Sequence, residues 1–128
     1  RNWGYGVSLD DFGGGPSAFN LLAAVEVDMV KIDGTAIASA QAGTKGRAFL
    51  SSLTDLCRRL GVESVAEAVG TEETLKFVRD CVFDYAQGFL FGRPSANPAD
   101  FVKPADTRLF RSGAKRPATA QLATRLGY

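Results

Sequence analysis

Histidine is missing altogether from these 128 residues. Its absence excludes His-dependent zinc sites, Ser-His-Asp triads and phosphohistidine chemistry from this stretch. Cysteine is nearly as scarce: Cys57 and Cys81 stand 24 residues apart, without metal-site spacing, and both fall in apolar contexts. Buried free thiols in a reducing cytoplasm are the expectation for such a pair. No apolar run approaches the roughly 18 residues of a membrane-spanning helix, and no signal-peptide pattern opens the chain. The first residue is Arg1 rather than Met, so the sequence reads as a piece of a longer chain. That parent is expected in the cytoplasm, with upstream segments available to anchor it to a membrane.

What is present is an ordinary globular composition, 45% hydrophobic and 23% charged, enough for a core in one domain or part of one. The net charge of +1 conceals an asymmetry. From Lys103 onward six basic residues face one acid, Asp106, whereas the first 102 residues carry nine basic and thirteen acidic ones. An acidic body suits cation binding. The basic stretch over 104–128 lacks strong periodicity and regular aromatic interleaving, so it reads as a solvated, disordered tail and not as a nucleic-acid-binding surface. The globular unit is accordingly placed at 1–103.

The segment Val7-Ser8-Leu9-Asp10-Asp11-Phe12-Gly13-Gly14-Gly15-Pro16 is the chemical centre of the sequence. An apolar run ends on adjacent carboxylates and is released into glycines. Strand alternation sends Asp10 and Asp11 in opposite directions unless the strand ends and twists there. Paired carboxylates at a strand end repel, and a divalent cation with oxygen ligands compensates. The bland alternative is an Asp-Gly turn.

The pattern that follows favours a site. A helix is expected over Ser17–Ala24, with Pro16 in its first turn. Met29–Asp33 reads as a strand, Ala36–Ala40 as a helical turn, and Gln41–Thr44 as a loop. Lys45–Leu60 is the clearest helix, with apolar residues at three- and four-residue spacing and Gly61 as its stop. Val62–Glu67 is a strand. Thr71 is the expected N-cap of a helix over Glu72–Asp80, without the acid at 74 that a capping box needs. Phe83–Gln87 is a fourth strand and Asn97–Val102 a short helix. This β-α alternation, four times over, indicates an α/β fold with parallel strands. Each strand ends on a demanding side chain: Asp10 and Asp11, Lys31 with Asp33 a further candidate, Glu67, then Gln87. In a parallel barrel those ends share one face, where chemistry sits.

Four motifs in order, Asp10-Asp11-Phe12-Gly13-x-Gly15, Val30-Lys31-Ile32-Asp33, Val65-Ala66-Glu67-Ala68-Val69 and Tyr85-Ala86-Gln87-Gly88-Phe89-Leu90-Phe91-Gly92-Arg93-Pro94, resemble the second half of an EAL domain. The resemblance covers about Gly4–Phe101. It implies the C-terminal half, about four β-α units, of a TIM-type (β/α)8 barrel. The implied activity is hydrolysis of cyclic di-GMP to the linear dinucleotide by water activated with two Mg²⁺ or Mn²⁺ ions. By the same resemblance Asp10, Asp11 and Glu67 are metal ligands, with Asp10 the bridge between two ions. Glu67, Lys31 and Gln87 are catalytic residues, and Gln87 and Arg93 contact substrate. The remaining metal ligands belong to strands upstream of Arg1, so the isolated half is expected inactive. Its expected associations are with itself as a homodimer or with the missing N-terminal half, and in the parent with other signalling domains such as GGDEF or sensor domains. The family pattern has other residues at Gly14, Pro16 and Ala18, a glycine at Ala68 and a second glutamate at Gly70. These departures give the alternative expectation of a non-catalytic cyclic di-GMP receptor or signalling interaction module.

Overall fold

The computed structural model describes residues 4–13 and 17–101. Strand β1 (Ser8–Phe12) leads to helix α1 (Ser17–Ala24), then β2 (Met29–Ile32), α2 (Gly34–Ala42), α3 (Gly46–Leu60), β3 (Glu63–Ala66), α4 (Glu72–Asp80) and β4 (Tyr85–Ala86). A 3₁₀ turn at Pro98–Phe101 follows. The four strands form one parallel sheet in the order β1-β2-β3-β4. The expected placements of Gly14 and Pro16 and the expected tail over 104–128 lie outside the described residues.

Helix α3 forms where periodicity places it. Leu50, Leu53 and Cys57 are buried on one face, Arg58 and Arg59 lie in the last turn where the helix dipole favours cations, and Gly61 closes it at φ +71. In α4 the Thr71 hydroxyl accepts the Thr74 N–H at 3.1 Å, as its N-cap role requires, and Glu72 and Glu73 occupy the first turn. Between β2 and α3 the chain is more helical than the sequence pattern suggests. Instead of a turn over Ala36–Ala40 and a loop from Gln41, α2 runs from Gly34 to Ala42. Only Ile37 and Ala40 of α2 are buried, so the helix has too narrow an apolar stripe to be visible as periodicity.

Strand alternation divides the sheet into two faces. Phe12, Val30, Ile32 and Ala66 enter the core with Ile37, Leu50, Leu53, Cys57, Leu75 and Val78 from the helices. The opposite face bears Met29, Lys31, Glu63, Val65 and Tyr85, with the Tyr85 hydroxyl on the Glu63 carboxylate at 3.1 Å. β1 and β4 are the outer strands, and Tyr5, Val7, Phe89 and Phe91 are exposed beside them. No helix of the described residues is long and apolar enough to cross a membrane.

Both thiols are free and buried, as expected for structural cysteines. Burial, aided by the nearby charge of Asp84, pushes the Cys57 thiol from 9.0 up to about 11. The sign follows from linkage: the unfolded chain releases this proton first, so the contribution is intact below pH 9 and is lost as pH rises through 11. Stability should therefore fall over that window by up to about 3 kcal/mol on account of this group. Urea melts at pH 8 and pH 11 on wild type and Cys57→Ala would check it, the variant losing less between the two.

Candidate metal centre

β1 does not stay in step with β2. Leu9 pairs with Val30 and Phe12 with Ile32, so Asp10 and Asp11 together oppose Lys31 in an irregular, bulged register. Asp11 takes the left-handed conformation at φ +54, which aspartate tolerates better than most residues. The bulge cancels the alternation that would separate the two side chains. Both carboxylates reach one place, together with Glu67 from the end of β3, and the three offer oxygens within 4.8 Å of one another.

Lys31 stands among them. Its ammonium bonds the Asp10 carboxylate at 3.0 Å and the Glu67 carboxylate at 2.5 Å. Burial pulls its pKa down, but hydrogen bonding and charge from Glu67 and Asp10 outweigh this and leave it raised above 10.5. The lysine therefore stays charged at neutral pH. One cation against three carboxylates leaves the cluster with excess negative charge. Asp10 is 63% exposed, so the cluster is open to solvent and to an arriving ion. Hard oxygen donors of this kind fit Mg²⁺, Mn²⁺ or Ca²⁺ and not a softer thiophilic metal.

Glu67 is held by its neighbours' backbone. Its N–H donates to Ile32 O at 3.0 Å, and the following turn is tied to β4 by Val69 N–H to Gln87 O at 2.9 Å. Gln87 thus lies at the same edge of the sheet, with its N–H on Ala66 O at 2.8 Å. Its side-chain amide makes no hydrogen bond among the described residues. Arg93 sits in the loop after β4 with its guanidinium 4.7 Å from the Phe89 ring centre. The structure therefore brings Asp10, Asp11, Lys31 and Glu67 together, places Gln87 alongside by its backbone, and engages Arg93 with an aromatic ring.

Asp33 requires a correction. Considered above as a further strand-end site residue, it is the N-cap of α2: its carboxylate accepts the Thr35 N–H at 2.8 Å and the Thr35 hydroxyl at 2.6 Å. Those hydrogen bonds, the hydroxyl one first, hold its pKa below 3.8. Because α2 begins at Gly34, two residues before the expected helical turn over Ala36–Ala40, Asp33 falls at its N-cap and not at the strand-end site.

The EAL domain family model matches residues 1–94. The chain belongs to the EAL-domain family. It is 37% identical over 109 residues to the cyclic di-GMP phosphodiesterase PdeB of Shewanella oneidensis, covering 85% of this chain but 13% of that protein. Among solved structures it resembles the manganese and cyclic di-GMP complex of BlrP1 from Klebsiella pneumoniae, at TM-score 0.67 and 32% identity over 73% of this chain and 24% of that one. An EAL domain protein from Listeria monocytogenes gives TM-score 0.67 and 35% identity over 72% of this chain and 37% of that one. The chain thus spans well under two thirds of each of these relatives. Its four parallel strands and their helices are the C-terminal half of a TIM-type EAL barrel.

Proposed function

We propose that this chain supplies the C-terminal half of a cyclic di-GMP phosphodiesterase site, hydrolysing the cyclic dinucleotide to its linear form. The observation that carries the reading is the convergence of Asp10, Asp11 and Glu67 within 4.8 Å, with Lys31 bonded to two of them. Asp10, Asp11 and Glu67 would hold divalent cations, Mg²⁺ or Mn²⁺, with further ligands from the rest of the barrel. Such ions supply Lewis acidity and charge neutralisation for attack of water on a phosphodiester. Lys31 offsets carboxylate repulsion and presents a charged hydrogen-bond donor to an anionic phosphoryl group. Gln87 offers an amide donor and acceptor at the sheet edge to orient water and substrate. Arg93, stacked on the Phe89 ring in the loop after β4, would contact the dinucleotide. The solved BlrP1 complex with manganese and cyclic di-GMP supports the choice of ligand and of ion class.

The test is hydrolysis of cyclic di-GMP by protein carrying the complete barrel, in Mg²⁺ and then Mn²⁺, beside Asp10→Asn. Turnover is expected, and the variant should lose it by roughly 10³-fold, the scale of removing a charged group that acts in the transition state. Folded protein that binds the dinucleotide without cleaving it in either metal would establish the receptor reading instead.

The open outer strands bear on assembly. With β1 and β4 unpaired on their outer sides among the described residues and apolar residues exposed beside them, the isolated chain should associate, with a second copy or with the complementary half barrel. Sedimentation is expected to show a concentration-dependent dimer, or a complex when the complementary half is added. A monomer under both conditions would refute it.

A further inference from the structure

The turn that carries Glu67 out of β3 has an uncommon backbone. Ala68 sits at φ +55, where an L-residue's Cβ crowds the following carbonyl oxygen. Among described non-glycine residues only Asp11 and Val82 share a positive φ. Two of the three therefore lie in or beside the carboxylate cluster, the kind of place where backbone strain is kept for function. The flanking main chain is pinned on both sides, by Glu67 N–H to Ile32 O and by Val69 N–H to Gln87 O.

Gly34 lies against this turn. A Cβ at position 34 would collide with the Ala68 methyl, well inside 3.0 Å. Gly34 opens α2 directly after its capping residue Asp33, and its backbone is not in the left-handed region. Glycine there sacrifices helix propensity without serving any special φ. Close approach of Ala68 is the reason the structure offers for it.

We infer that Gly34 is a positioning residue for Glu67. The missing side chain at 34 admits the Ala68 methyl, and the left-handed turn at Ala68 aims the Glu67 carboxylate back at Lys31, Asp10 and Asp11. Gly34 and Ala68 are a size-matched pair coupling the start of α2 to the site. Because Ala68 is itself exposed, crowding from position 34 pushes the turn outward, so the cost falls on Glu67 and not on the core. This inference rests on the reading of the cluster as a cation site.

Mn²⁺ titration of protein carrying the complete barrel, with and without the substitutions, tests it. Gly34→Ala should weaken Mn²⁺ binding about tenfold or more, the usual effect of disturbing a group that orients a ligand. Helix content should be unchanged or higher, because alanine is the better helix former. Ala68→Gly should return the double variant G34A/A68G to within about twofold of A68G alone. Wild-type affinity in Gly34→Ala, or a double variant as weak as Gly34→Ala, would overturn the inference. If Gly34→Ala does not fold, a folded double variant that binds Mn²⁺ supports the pair, and an unfolded one overturns it. If Mn²⁺ binding is indifferent to Glu67→Gln, the cation reading fails and metal-free melts decide the positioning. Glu67→Gln should then lower Tm in wild type but not in Gly34→Ala, while equal losses would refute the coupling.

Discussion

Lys31→Met should separate ion binding from turnover. The ammonium lies between Asp10 and Glu67 and is the charge that balances part of the cluster. Its removal leaves three carboxylates with oxygens within 4.8 Å and no compensating cation among them. An entering divalent ion then meets a more negative site and no competing positive charge, so Mn²⁺ should bind several-fold more tightly. Turnover of cyclic di-GMP by the complete barrel should nevertheless fall roughly 10²- to 10³-fold, the cost of losing one preorganised donor to developing charge. Stability without metal should drop by about 1–3 kcal/mol, since Lys31 and Glu67 are only 22% and 18% exposed while Asp10 is open to solvent. The lysine's contribution to stability is present below 10.5 and lost only as pH rises through its raised folded value. Between pH 6 and 9, then, neither effect should change sign. Isothermal titration with Mn²⁺ and a steady-state assay on one preparation would check the split. Parallel losses in both would make Lys31 a structural clamp on the carboxylates.

Gly88→Ala should be strongly destabilising. A Cβ there meets the backbone N, C and O of Val69, all inside 3.0 Å. Main-chain atoms cannot rotate aside as a flexible side chain does. Val69 is fully buried, its N–H is bound to Gln87 O, and its carbonyl accepts the Leu90 N–H at 3.2 Å. Relieving the collision means breaking the link between the Glu67 turn and the end of β4. The expected loss is about 3 kcal/mol or more, the upper range for overpacking, because both partners are backbone. Urea denaturation of wild type and variant would measure it. Mn²⁺ affinity should fall together with stability, as the same displacement moves Glu67. A variant within about 0.5 kcal/mol of wild type, the range of ordinary surface substitutions, would mean that the two loops are not in contact.

Much of this molecule was legible in its sequence because much of it is local. Helices α3 and α4 follow from apolar spacing, Gly61 and Thr71, all properties of a few consecutive residues. The β-α alternation and the polar residue closing each strand indicate parallel strands with chemistry at one edge, and Asp10, Asp11, Lys31 and Glu67 do meet there. The identity of the site's carboxylates was thus written in the chain.

Their arrangement was not. Whether Asp10 and Asp11 point together depends on the register between β1 and β2, and the bulge opposite Lys31 is a relation between strands some twenty residues apart. Periodicity within β1 alone predicts divergence. Asp33 resembles its neighbours as a strand-end acid, yet the onset of α2 converts it into a cap, a helix whose narrow buried stripe gives no strong pattern. The fit of Gly34 against Ala68 joins residues from two different β-α units. Which groups carry charge at the strand ends, and in what order, is a local property of the chain. Which way they point emerges on folding, because direction in a parallel sheet is set by inter-strand register and by close approach between distant backbones, neither of which a local window contains.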